Sequence, residues 1–281
     1  MVKYIFTILA LVAIPPIITA TPIIVDKRSI ETCQFPSGSG LVAVSKSTLN
    51  GGWAMSPDEP CTPGKYCPYA CPPGQLMNQW DPDAKAYTYP ASMNGGLKCD
   101  KDGKVTTPFG DRPLCVDGEG TVSIDNKADK NVAFCQTVLP GNEAMLIPTN
   151  CAGKSTQVLA VPGPSYWAST GAHYYINAPG ISTTDACVWG TKSEAQGNWS
   201  PYVAGMNMDK SGSTFVTVGW NPKYQDDFNH EKPNFGVRIT CDKKDACFGL
   251  PCEIQPDSGK SLFCVVTATK NAKAKIEVFD V

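Results

Sequence analysis

The sequence predicts an all-β protein: a disulfide-rich β-sandwich preceded by a Cys/Pro/Gly-rich loop region. Three observations point there. Short stretches of alternating apolar and polar residues recur between turn residues from about Gly120 onward. The 24 prolines and 25 glycines punctuate the chain so often that no window carries a helical apolar stripe longer than two turns. Thirteen cysteines follow a leader with the layout of a secretory signal, and the secretory route is oxidising.

The leader is MVKYIFTILALVAIPPIITA, residues 1–20, with a basic start at Lys3 and a short apolar run. Residues 21–28 read as a short propeptide ending in the dibasic pair Lys27-Arg28. The Gly/Ser-rich stretch 29–58 is expected to be an N-terminal arm, and 59–281 the functional domain. No later stretch is apolar enough to span a bilayer, so the expectation is a secreted protein with no membrane partner once the signal is removed.

From Cys61 to Cys115, Pro and Gly exclude long helices and leave loops and short hairpins. The stretch CTPGKYCPYACPPGQLMNQWDP packs three cysteines as Cys-x5-Cys-x3-Cys. Zinc sites favour Cys-x-x-Cys pairs or Cys with nearby His. This chain has no such pair and two histidines, His173 and His230, so no metal and no cofactor is expected. The cysteines read instead as disulfide candidates: Cys61, Cys67, Cys71, Cys99, Cys115, Cys135, Cys187, Cys241, Cys247, Cys252 and Cys264; with Cys33 and Cys151 the total is thirteen, an odd number that leaves at least one unpaired or bonded to another molecule. Spacing does not reveal the pairing. The Pro-Gly turns are expected to present Gln79, Trp80 and Asp81 at a surface.

Farther along, NVAFCQTVL (131–139) is apolar and strand-like. In TFVTVGW (214–220) the bulky Phe215, Val218 and Trp220 are separated by Thr. FGVRIT (235–240) places Val237 and Ile239 on one face and Arg238 on the other. LFCVVT (262–267) and AKIEVF (274–279) are expected to form a terminal pair.

The formal charge of −2 and the lack of basic runs argue against nucleic acid and anionic membranes as partners. A G-x-S-x-G elbow is absent, and His173, in GAHYYIN, reads as structural, which disfavours a Ser-His-Asp hydrolase. A glycosidase needs two carboxylates, one to protonate the leaving oxygen and one to activate water or attack the sugar. Asp81, Glu143, Asp117 and Asp185 lie on loops near aromatics and are the candidates. Trp80, Tyr87, Tyr89, Tyr166, Trp167, Tyr174, Trp199 and Tyr202 are candidate sugar-stacking rings, and Trp189 lies in similar company. Asn198-Trp199-Ser200 is a glycosylation sequon.

Taken in order, the blocks CPYACPPGQLMNQWDP, YTYPASMNGGLKC, FCQTVLPGNEAMLIPT, PSYWASTGAHYYINAPG, DACVWGT, GNWSPYVAG and PNFGVRITC resemble the SUN family of fungal secreted proteins, grouped with the β-glucosidases as glycoside hydrolase family 132. The resemblance covers about Cys33 to Val281. It implies a monomeric protein of the cell wall or medium that binds and hydrolyses β-1,3-glucan or another wall polysaccharide during wall remodelling, septation and cell separation. A non-catalytic glucan-binding or structural wall protein is the alternative. A second likeness, in NFGVRITCDKKDACFGLPCEI (234–254), is to thaumatin-like proteins and implies their type of sandwich.

Overall fold

The structure is a computed structural model that describes residues 32–84, 94–137, 146–169, 171–228, 231–257 and 262–281. An N-terminal lobe holds β1 (Tyr66–Cys67), β2 (Gln75–Met77), β3 (Leu97–Cys99), β4 (Val105–Thr106) and β5 (Cys115–Asp117). The sandwich begins with β6 (Val122–Asn126), β7 (Val132–Thr137), β8 (Leu146–Cys151), β9 (Thr156–Val158) and β10 (Ala172–Ile176). After helix α1 (Thr183–Ala186) come β11 (Tyr202–Met208) and β12 (Thr214–Trp220), then helix α2 (Pro222–Phe228). The chain ends with β13 (Phe235–Cys241), β14 (Cys247–Phe248), β15 (Cys252–Ile254), β16 (Phe263–Ala268) and β17 (Ala274–Asp280).

Two sheets form the sandwich. A seven-stranded sheet runs β14-β16-β12-β11-β10-β7-β8, and a five-stranded sheet runs β15-β13-β17-β6-β9. Alternation along each strand turns one set of side chains into a shared core. Phe134, Tyr174, Tyr202, Val216, Val218 and Val266 come from the first sheet and meet Ile124, Val237, Ile239, Ile254, Ile276 and Val278 from the second. Strand β7 is buried on both faces: Val132 and Phe134 face this core, while Ala133 and Cys135 lie with Ala186 and Cys187 at the end of α1. That double burial explains its continuous apolar sequence.

The last two strands differ from expectation. β16 pairs with β12 and β14, whereas β17 pairs with β13 and, in parallel, with β6. Side by side in one sheet, their apolar faces would point the same way. In opposite sheets, Val266 and Ala268 of β16 share one core with Ala274, Ile276 and Val278 of β17.

The lobe has its own small core, held by Cys33–Cys99, Cys61–Cys67 and Cys71–Cys115. The described part of the expected arm belongs to that core. Trp53, Ala54 and Met55 are buried, and Trp53 Nε1 donates to the Cys33 carbonyl at 2.9 Å. An indole and a cystine are too apolar to leave in water when a core is adjacent. The other bridges are Cys135–Cys187, Cys241–Cys247 and Cys252–Cys264, which leaves Cys151 as a free, buried thiol.

Candidate functional site

A cleft of about 540 Å³ separates the lobe from the sandwich. One wall is the segment Ala43–Thr48; the other is Leu146 and Pro148 of β8, Thr183 and Thr184 of α1, and Cys187–Trp189. Both walls are rigidly built. Val44 N–H donates to the Gly52 carbonyl at 2.9 Å, and the Thr48 hydroxyl donates to the Ser45 carbonyl at 2.7 Å. On the other side, the Ser182 hydroxyl caps α1 by accepting from Asp185 N–H at 3.2 Å and donates to Asp185 Oδ2 at 2.8 Å. The Ser182 hydroxyl is thus the N-cap of the helix, held in place by the Asp185 carboxylate. The Cys135–Cys187 bridge then ties the end of the helix to β7.

The lining is rich in hydroxyls. Ser45, Ser47, Thr48, Thr183 and Thr184 supply donors and acceptors, Lys46 is the one charge, and no carboxylate is among the described lining residues. Trp189 stands at the wall, 39% exposed. Next to it, the Lys223 ammonium lies 5.4 Å from the Trp189 ring and 4.1 Å from that of Trp199, whose Nε1 donates to Asp227 at 2.8 Å. The volume is that of a small-ligand site. Hydroxyls beside a flat indole can bind a polar, uncharged ligand that has one apolar face.

Asp81, Asp117 and Asp185 each engage a near neighbour. Asp81 Oδ1 accepts from Asp83 N–H at 2.9 Å, Asp117 Oδ1 accepts from Gln75 at 3.0 Å, and Asp185 is the capping partner just described. Asp185 adjoins the lining residue Thr184, while Asp81 and Asp117 belong to the lobe. Glu143, Tyr87 and Tyr89 lie outside the described residues.

The aromatic candidates divide by burial. Tyr174 and Tyr202 are core residues, with hydroxyls donating to the Ala160 carbonyl at 3.1 Å and the Phe235 carbonyl at 2.9 Å. Trp80 is also buried, stacked on Trp167 with ring centroids 4.1 Å apart, and its Nε1 donates to Met77 O and Tyr166 Oη. A Cβ at Gly95 would collide with the Trp80 ring, so glycine there lets the chain close over the indole. Gln79 is buried as well, donating to the Arg112 carbonyl at 2.8 Å and accepting from Phe109 N–H at 3.1 Å. The Gln79-Trp80 tip therefore faces inward, and Asp81 alone of the three reaches solvent. Tyr166 and Trp167 are half-buried against the lobe core, which leaves Trp199 and Trp189 as the partly exposed indoles by the cleft. Burial pushes the Tyr166, Tyr174 and Tyr202 phenols well above the usual tyrosine range.

Asn198 is fully buried. Its Oδ1 accepts from Gly190 N–H at 2.8 Å, and its Nδ2 faces no solvent. In this packing that nitrogen lies inside the fold rather than on the surface where a glycan would project.

The carboxylates that the fold does bring together were not among the candidates. Asp125, Glu277, Arg238 and Glu253 lie in register across β6, β17, β13 and β15. Arg238 bonds Glu277 and lies 3.6 Å from Glu253; Lys127 and Lys275 lie 2.9 and 3.5 Å from Asp125. Three acids face three bases, so this row balances its own charge. The hydrogen bond that Lys127 donates to Asp125 raises the lysine's pKa. The sulfurs of Cys33, Cys61 and Cys99 lie within 4.8 Å of one another, but all three are in disulfides and offer no thiolate to an ion.

The hydroxyls of the cleft had no signal in the sequence, since Ser and Thr in turns are commonplace. Trp189 was visible as one aromatic among many.

Fold and cleft together define a disulfide-stapled β-sandwich protein with a hydroxyl-lined cleft. The chain belongs to the SUN family: the family model described as "Beta-glucosidase (SUN family)" matches residues 27–269. It is 56% identical over 270 residues to "Uncharacterized protein YMR244W" of Saccharomyces cerevisiae, covering 89% of this chain and 76% of that one. It is 50% identical over 271 residues to "Probable secreted beta-glucosidase adg3" of Schizosaccharomyces pombe, covering 91% of this chain but 24% of that much longer protein. With "Probable secreted beta-glucosidase UTH1" of Saccharomyces cerevisiae it shares 36% identity over 226 residues, 76% of this chain and 59% of that one. Among solved structures it is similar to the thaumatin-like xylanase inhibitor TLXI, with TM-score 0.37 and 9% identity over 56% of this chain and 97% of that one. A likeness so distant carries no functional argument. The chain is extracellular, like the secreted relatives, and among the described residues no helix is long and apolar enough to cross a membrane.

Proposed function

We propose that this protein binds β-1,3-glucan of the fungal cell wall in the cleft beside Trp189 and hydrolyses it, acting in wall remodelling, septation and cell separation. The observation that carries the reading is the lining: a wall of hydroxyls with one partly exposed indole, a single cation at Lys46 and no carboxylate among the described lining residues, which suits an uncharged sugar. The family description and the names of its secreted relatives supply the reaction class. Of the four acid candidates, Glu143 and Asp185 are our choice of pair. Glu143 precedes the lining residue Leu146 by three positions, and Asp185 follows the lining residue Thr184 directly. One acid would protonate the glycosidic oxygen and the other would activate water or attack the anomeric carbon.

One observation favours a second reading, a non-catalytic glucan-binding wall protein: the described lining residues include no carboxylate. Incubation with laminarin oligosaccharides, followed by mass spectrometry, separates the two. New shorter oligomers support hydrolysis, whereas retention on glucan without new reducing ends sinks it. Glu143→Gln and Asp185→Asn should abolish cleavage while Asp81→Asn and Asp117→Asn retain it. The reverse pattern would replace our pair with the lobe carboxylates.

A further inference from the structure

The two outer faces of the sandwich differ sharply in charge. The five-stranded sheet carries the Asp125, Glu277, Arg238 and Glu253 row described above. By contrast, none of the seven strands of the other sheet contains an Asp, Glu, Lys or Arg. The residues of β10, β11, β12 and β16 that point away from the core form a register grid, most of them half-buried. One row is Tyr175, Val203, Gly219 and Phe263, and the next is His173, Gly205, Thr217 and Val265. A third runs Asn207, Phe215, Thr267 and on to Phe248 of β14.

This grid has a shape. Small residues, Gly205, Thr217 and Gly219, occupy its middle. Aromatic rings stand at its sides: His173 and Tyr175 on β10, Phe263 on β16 and Phe248 on β14. Phe248 and Phe263 are each 63% exposed and Val265 41%. A Cβ at Gly205 would meet nothing closer than the Ala172 carbonyl at 4.0 Å, so packing does not demand glycine there and its effect is to keep the floor low. Gly219 is different, since a Cβ there would strike Phe263. From β10 to β16 the floor spans three strand spacings, about 14 Å.

We propose that this outer face is a second carbohydrate-binding surface, distinct from the cleft, which lays a neutral glucan strand across β10–β16. The inference rests on the ligand half of the proposed function, not on hydrolysis. Charge complementarity selects the occupant. A flat floor with no ionic group on any of its strands suits a polymer with none, and would leave the charged side chains of most protein surfaces unpaired and desolvated. The rim rings offer flat apolar faces to sugar C–H groups, and Asn207, Thr217 and Thr267 offer polar atoms to the hydroxyls. Such a surface would hold insoluble glucan while the cleft works on a chain end.

The test uses the full chain and two probes: insoluble β-1,3-glucan particles and soluble laminaritriose. Thr217→Lys places a charge on the exposed floor, and the double change Phe248→Ser with Phe263→Ser strips the rim. Each should weaken retention on particles about tenfold or more, with an unchanged melting temperature and unchanged trisaccharide binding. Trp189→Ala should show the opposite pattern. Retention unaffected by either sheet variant overturns the proposal and leaves the cleft reading intact. Loss of trisaccharide binding and cleavage in the native protein, with retention still sensitive to the sheet variants, sinks the cleft and spares the sheet. A native dimer that the sheet variants convert to monomer, with glucan retention unchanged, makes the face a self-interface and overturns the proposal, as does a native protein that glucan does not retain.

Discussion

Replacing Cys33 and Cys99 together by Ala should destabilise the protein far more than replacing Cys61 and Cys67 by Ala. All four cysteines are buried in the same small core, so the cavities left behind are comparable. What differs is the loop that each bridge closes: the sequence separation is 66 for Cys33–Cys99 and 6 for Cys61–Cys67. In the chain-entropy view, the longer loop stabilises by about 4.4 kcal/mol and the shorter by about 2.2. The difference of about 2 kcal/mol corresponds to roughly 4–8 °C in melting temperature for a domain of this size. Calorimetry of the two double variants, with urea unfolding as a check, measures it. The Cys33–Cys99 variant should also bind laminaritriose more weakly, because that bridge anchors the segment that forms one cleft wall. Equal melting temperatures for the two variants would refute the loop-entropy reasoning.

Intact mass of the secreted protein should show no N-glycan at Asn198, because its amide is buried and engaged with Gly190; a glycopeptide at that sequon would contradict the packing. One thiol per chain, Cys151, should react with a thiol reagent only after unfolding, since burial both shields it and pushes its pKa up; fast labelling of the native protein would refute this. Tyr69, Tyr166, Tyr174 and Tyr202 all have raised pKa values, and Tyr224 is pushed up to about 12, in every case chiefly because the phenol is shielded from water. Their folded pKa lies above the unfolded one, so stability is fully present below pH about 10 and falls as pH rises beyond it; phenol absorbance should then rise together with loss of near-UV circular dichroism, and independent titration of these rings with the fold intact would count against it. Arg238→Met should destabilise by about 2 kcal/mol, because Glu277 stays buried without its partner. Glu253→Gln, on the exposed side of the same arginine, should change stability by about 0.5 kcal/mol or less; equal effects in urea unfolding would show that burial is not what matters.

Much of the fold is local and was therefore legible. Alternation in TFVTVGW and FGVRIT marks β12 and β13, and Val237, Ile239 and Arg238 face as the pattern requires. The ordered blocks that resemble the SUN family also depend on residue order alone, and the family model matches the same stretch. What pairs with what is not local. LFCVVT and AKIEVF look like neighbours in one sheet, yet apolar faces on both are best buried by facing one another across the core. Phe215 sits on the outer face, because Val216 and Val218 set the parity of β12.

Sequence by itself determined the all-β class, the disulfide chemistry and the family, since each follows from residue type, short-range period or order along the chain. Tertiary structure decided which rings are scaffold and which meet solvent. Trp80, Tyr174 and Tyr202 read from sequence as sugar platforms, but burying a large ring gains more than exposing it, and the core absorbed them. The cleft and the charge-free sheet face arise from residues 43–48 meeting α1, and from strands far apart in sequence lying in one register, as when His173 of β10 and Val265 of β16 fall in the same row. No short window of sequence contains either surface, because each exists only where distant segments come to lie side by side.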